Sequence, residues 1–294
     1  MNNLTILQKI VRNPITRIIL GIFVCIGIFI IAQNITTKLL DLTLIDRDFR
    51  NFFKGLIASI AGIGAYKYFY KLIEKRKVTE IAIKGIAKNV IIGITLGVVL
   101  QCLTILVIYL NNGFKVVSIN PVSFIIIPFT VAFTVAIFEE ILLRGIIFRI
   151  VEEKLGSTIA LIISALIFGG LHLANPNSSF AAAACIAVFA GLLLGAAYIY
   201  TRNLWFPIAI HFAWNFMQSG IFGAITSGNE KTSSLLVTKI TGPTLITGGE
   251  FGPEATIQAT VLGLITALVL LYQNKKQNKF IKPYWKRKSV AVNR

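Results

Sequence analysis

One apolar run, long enough to cross a bilayer, carries Glu139, Glu140 and Arg144 in its interior. The residues from Ser123 to Phe138 before the pair hold no charge, and Gly145-Ile146-Ile147-Phe148 separates Arg144 from Arg149. A charged group at that depth costs roughly 2.5–3.5 kcal/mol on insertion scales. A chain that puts three there needs helices around them and a use for them. At about 100° per residue, Glu140 and Arg144 are i,i+4 neighbours on one helical face and can pair. Glu139 points about 100° away from Glu140, so its partner has to come from another helix.

Composition supports a membrane setting. Of 294 residues, 55% are hydrophobic and only 14% charged, with a mean hydropathy of +0.77. These values exclude an ordinary soluble globule and indicate an all-α, polytopic membrane protein. The net charge is +17, from 29 basic and 12 acidic side chains. The basic residues stand at the ends of apolar runs, as on the cytoplasmic flanks of membrane helices, which argues against nucleic acid as the partner. No acid follows Glu254, and the basic tail from Lys275 onward reads as lying on anionic headgroups, with Tyr284 and Trp285 at the interface. Cys25, Cys102 and Cys185 each lie in an apolar run. Their odd number and setting read as small core residues, not as disulfides or metal ligands.

The pattern predicts a short amphipathic helix over residues 1–13 and eight spans of about 15–34, 52–73, 89–110, 121–151, 156–173, 180–200, 204–222 and 255–273. The first apolar run is read as a retained span, not a cleaved signal, because many more follow it. A polar connection is expected over 36–51. Loop charges put both termini in the cytoplasm of a cell membrane. The chain divides into 1–119, a first group of spans with a basic loop; 120–225, the polar core; and 226–294, a Gly/Pro-rich loop, the last span and the tail. In that loop Glu250 and Glu254 read as solvated. Gly191-x-x-x-Gly195 marks a close helix–helix approach.

Both histidines of the chain fall in or at the end of apolar spans. His172 ends Phe168-Gly169-Gly170-Leu171-His172, and His211 shares a helical face with Asn215 at i,i+4. Lipid offers such groups no partner, so they are expected to converge with the glutamate pair on one cavity. A carboxylate with a histidine can hold and deprotonate a water. A second histidine with an asparagine can donate to a developing oxyanion. Together they suit an amide hydrolase that needs no cofactor. Zinc on the same residues is the rival chemistry, although no His-Glu-x-x-His helix is present. An ion- or proton-relay transporter, or a non-catalytic immunity or scaffold protein, would also use such buried groups.

Glu139-Glu140-x-x-x-Arg144, Phe168-x-x-x-His172 and His211-x-x-x-Asn215, in this order and spacing, resemble the three motifs of the CPBP intramembrane glutamic endopeptidases (CAAX protease and bacteriocin-processing, or Abi). The resemblance covers about residues 120–225. It implies a fold of about eight helices around an intramembrane cavity. Glu139 and His172 would activate water, His211 and Asn215 would stabilise the oxyanion, and Glu140, Arg144 and Phe168 would support the site. It also implies membrane-associated peptide or lipidated protein substrates, with bacteriocin processing or immunity as a role in a bacterial member.

Overall fold

The computed structural model describes residues 13–287. The helix expected over 1–13, apart from Asn13, and the tail beyond Arg287 lie outside the described residues. The described chain is helical: α1 (Pro14–Leu40), α2 (Arg47–Glu74), α3 (Ile86–Leu110), α4 (Ile126–Glu140), α5 (Arg149–Leu171), α6 (Phe180–Ile186), α7 (Leu193–Thr201), α8 (Trp205–Phe216), the short α9 (Thr244–Thr247) and α10 (Ile257–Lys276). Three of them run on into wider π turns: α4 through Ile141–Phe148, α6 through Ala187–Leu192 and α8 through Met217–Ile221. Two strands absent from the sequence reading, β1 (Phe114–Ile119) and β2 (Leu236–Ile240), pair antiparallel from Phe114 opposite Ile240 to Ile119 opposite Leu236.

Local chemistry explains the helix ends. Asn13 caps α1, accepting from the Ile15 amide at 2.9 Å, and Pro14 at the first position loses no helical bond. Asp46 caps α2 and Thr256 caps α10. The polar connection expected over 36–51 is shorter than that, because α1 runs to Leu40. Thr37 returns its hydroxyl to the Gln33 carbonyl at 2.8 Å, so its polar group is satisfied within the helix.

Five helical segments, not the expected eight, are long and apolar enough to cross a membrane. The lysine-bearing α2 and the short α8 are not among them, and Val122–Ala174 counts as one segment of 53 residues. That segment doubles back. Arg144 and Phe168 are 24 positions apart, about 36 Å along a straight helix, yet the Arg144 guanidinium sits 4.7 Å from the Phe168 ring centre. The break is Gly156, at φ 79° and ψ 167°, a backbone region open to glycine. A Cβ there would lie 2.7 Å from the Pro283 nitrogen, so the packed tail segment also requires the glycine.

Small residues set the spacing of the bundle. A Cβ on Gly97 of α3 would meet the Ile210 carbonyl of α8 at 2.5 Å, and one on Gly191 would meet the Ala165 Cα of α5 at 2.8 Å. Backbones therefore approach as they do in membrane helix pairs. Large apolar side chains such as Phe23, Ile31, Leu72, Ile91, Leu166 and Leu268 point outward, exposed, as a lipid-facing surface requires.

Two faces follow from the contacts. At one, Arg17 of α1 pairs with Glu74 of α2 and Glu153 of α5, and Arg149 pairs with Glu74 and Glu153. Arg76 pairs with Glu80, which also accepts from Tyr66. Burial works to raise the Glu80 carboxyl, but Arg76 and Tyr66 hold it below the usual carboxylate range. At the opposite face lie the ribbon β1–β2 and the long loop between α8 and α10.

That loop is anchored by a residue the sequence reading left in solvent. Glu254 is buried, 2% exposed. Its carboxylate accepts from the Ser227 amide, from the Ser227 hydroxyl at 2.9 Å and from the Gln218 amide. Burial pushes the Glu254 carboxyl up to about 7, against the lowering effect of the Ser227 donors and nearby His211. A raised carboxyl contributes stability that is full below its ordinary 4.5 and is lost as pH rises through about 7. Wild-type thermal stability in detergent, measured against Glu254→Gln, should therefore decline by about 3 kcal/mol in total as pH rises from about 4 to about 8. A pH-independent difference between the two proteins would contradict this account.

Candidate active site

One stripe of α4 forms the first wall of a polar cavity. Pro128, Val131, Ala132, Val135 and Glu139 recur at helical spacing and all line it. The cavity holds about 230 Å³ and is closed on its other sides by His172, His211, Asn215 and the loop that carries Ser227. All four residues expected to act on substrate, Glu139, His172, His211 and Asn215, therefore face one space. A second, more apolar groove between α1, α2 and α4 shares Val131 and Val135 with it and is lined by Phe29, Gly55 and Phe138.

Glu139 stands at the last turn of α4, where the π turns begin. Its side chain is 30% exposed, and His211 Nε2 lies 3.9 Å from its Oε2. Among the described residues, that oxygen has no hydrogen-bond partner. The partner demanded of another helix is thus a histidine of α8, at a distance that leaves the carboxylate oxygen free.

Glu140 and Arg144 lie one turn apart and form an ion pair of 2.7 Å, both without solvent exposure. Arg144 also donates to the Ala190 and Gly191 carbonyls at 3.3 and 3.2 Å, in the π turns after α6. Glu140 faces His211 as well, with Nδ1 at 3.2 Å. Phe168 sits among them: beneath the Arg144 guanidinium, 4.9 Å from the His172 ring and 6.0 Å edge-on from the His211 ring. Its quadrupole can attract the guanidinium on its face.

His172 closes α5, and its Nδ1 lies 2.8 Å from the Phe168 carbonyl. A carbonyl only accepts, so Nδ1 carries the proton and Nε2 is left free. His211 meets the Glu140 carboxylate in the same way, which puts a proton on its Nδ1 too. Asn215 follows His211 by one turn on the same face of α8. Among the described residues, no group of three His, Cys, Asp or Glu side chains is arranged to hold a metal ion.

Several residues at the site escaped the sequence reading. Ser219 lines the cavity four residues after Asn215, so extending the His211–Asn215 stripe by one turn would have found it. Asn175 donates to the Ser227 carbonyl at 2.7 Å, and Asn177 to the Gly228 carbonyl at 2.9 Å. These bonds hold the loop over the cavity, and no local spacing announces them. Gln101 and Gln218 pair at 3.2 Å in the buried interior beneath it.

Residues 121–217, about a third of the chain, match the family described as type II CAAX prenyl endopeptidase, Rce1-like. No curated protein and no solved structure matches the chain. The matched segment contains the glutamate pair, Arg144, Phe168, both histidines and Asn215, which are the residues gathered in and behind the cavity. The site therefore belongs to a CAAX-protease domain of the CPBP family, carried by a membrane protein.

Proposed function

We propose that the chain is an intramembrane glutamic endopeptidase that hydrolyses peptide bonds in membrane-anchored or lipidated substrates. The observation that carries this reading is the free Glu139 oxygen facing a cavity lined by two histidines and an asparagine. A buried acceptor without a protein partner is a natural seat for a water. His172 Nε2 faces no competing donor, so a water between it and Glu139 can lose a proton as its oxygen attacks the peptide carbonyl carbon.

Attack moves the carbonyl π electrons onto oxygen. The Asn215 amide and the His211 Nε2–H then donate to the oxyanion. His211 already donates from Nδ1 to Glu140, so a second donation needs the imidazolium, for which Glu139 and Glu140 at 3.9 and 3.2 Å are the counter-charges. Collapse breaks the C–N bond, and the proton taken from water passes to the leaving amine. The products are a carboxylate and an amine. The apolar groove beside the cavity suits an aliphatic anchor on the substrate.

Purified protein should cleave members of a panel of lipidated peptides in detergent, with no loss on adding EDTA. Cleavage abolished by EDTA and restored by zinc would move the chemistry to a metal. His172→Ala should lower kcat by about 10²–10⁴ and Asn215→Ala by about 10²–10³, with the folded fraction unchanged; full activity in either contradicts its role.

Arg144→Ala is expected to behave differently, because it strands Glu140 without its counter-charge. Removing one partner of a buried pair costs about 3–5 kcal/mol. Its signature is a reduced monodisperse yield by size-exclusion chromatography. A normal yield would show that Glu140 tolerates the loss of its partner.

A further inference from the structure

The side of the membrane from which substrate arrives can be read from the cavity and the charges together. The cavity follows the α4 stripe from Pro128 to Glu139, eleven residues or about 16 Å. Its rim is built from the C-terminal end of α5 at Asn175, the end of α8 at Ser219, and the loop at Asn229 and Thr232. All of these lie on the face that carries β1 and β2. Beyond Glu139, toward the ion-pair face, the chain is solid. Ile141, Leu143, Ile146 and Phe148 are each at most 2% exposed, and Tyr66 closes on the Gly145 carbonyl at 3.0 Å.

The two faces differ in charge. On the ion-pair face, the described segments 14–17, 71–88, 149–157, 202–204 and 275–287 carry sixteen Lys and Arg against four Glu. On the rim face, segments 38–54, 111–121, 174–179 and 222–256 carry seven Lys and Arg against six Asp and Glu. Lys and Arg in short loops are retained on the cytoplasmic side, and orientation follows their count. A difference of sixteen to seven therefore orients the ion-pair face to the cytoplasm. The rim then faces the other way.

We infer that the catalytic cavity opens on the face of the membrane away from the cytoplasm, and that its substrates are the extracytoplasmic segments of membrane-anchored peptides or proteins. The substrate part rests on the endopeptidase reading above; the orientation does not. A tail lying in the cytoplasm meets the ion-pair face, where buried side chains close the way to Glu139. The cavity is lined by the carboxylates Glu139 and Glu230 and by no Lys or Arg. It therefore favours a neutral or basic peptide segment over an acidic one.

Two measurements on the full chain, expressed in bacterial cells, test this. In the first, Lys239→Cys on β2 and Lys84→Cys between α2 and α3, both exposed positions, are treated with a membrane-impermeant maleimide. The chain without an added cysteine gives the background from Cys25, Cys102 and Cys185. Lys239→Cys should label in intact cells, and Lys84→Cys only after permeabilisation. The reverse pattern overturns the orientation.

In the second, one membrane-anchored reporter carries the same cleavable segment on either side of the membrane. Cleavage of the outside form alone, lost in Glu139→Gln, is expected. Acidic substitutions in the segment should slow it about tenfold, equivalent to about 1.4 kcal/mol. Cleavage of the inside form alone, or equal cleavage of acidic and basic segments, overturns the corresponding part. If labelling is as expected and neither reporter is cut, the endopeptidase reading fails with its substrate class, and the orientation stands.

Discussion

A carboxylate and a guanidinium, both out of contact with solvent, hold the middle of this molecule. Glu140 and Arg144 could not remain charged there alone, because desolvation of each exceeds what a single ion pair returns. The surroundings supply the difference. Arg144 donates from Nη2 to the Ala190 and Gly191 carbonyls and lies on the Phe168 ring, while Glu140 accepts from His211 Nδ1. Four chain segments are thereby locked to one pair: the turns after α4, the end of α5, the turns after α6, and α8. The reactive side of the cavity is a consequence of that lock. With Glu140 committed to Arg144 and His211, Glu139 beside it is turned to the cavity with an oxygen unclaimed.

Much of this was legible in the sequence because the physics is local. Charges inside an apolar run require company, and helical spacing alone separates the paired Glu140 from the free Glu139. Polar groups in neighbouring spans have nowhere else to go, so His172, His211 and Asn215 share one cavity with it. The all-α class followed from composition. The eight spans of the sequence exceed the five segments that meet a length-and-hydropathy criterion, because that criterion counts Val122–Ala174 as one segment and leaves out the lysine-bearing α2 and the short α8.

What escaped the sequence depends on contacts between distant positions. Glu254 looks like a loop carboxylate among glycines, yet Ser227 and Gln218 draw it inside. β1 and β2 are separated by more than a hundred residues, and neither has a partner within its own stretch of chain. The three runs of π turns begin just after Glu140, Ile186 and Phe216, next to residues of the site. Such wider turns often mark functional sites, where they redirect side chains. No periodicity of residue type signals them.

The central claim is that Glu139, whose Oε2 has no hydrogen-bond partner among the described residues, activates the water that cuts the substrate. The measurement that tests it most directly is the single-turnover cleavage rate of one membrane-anchored peptide by wild type and by Glu139→Gln, at matched folded fraction. The account predicts a loss of about 10²–10⁴ in rate with little change in peptide binding, as removal of a general base requires. Cleavage by Glu139→Gln at the wild-type rate would contradict it.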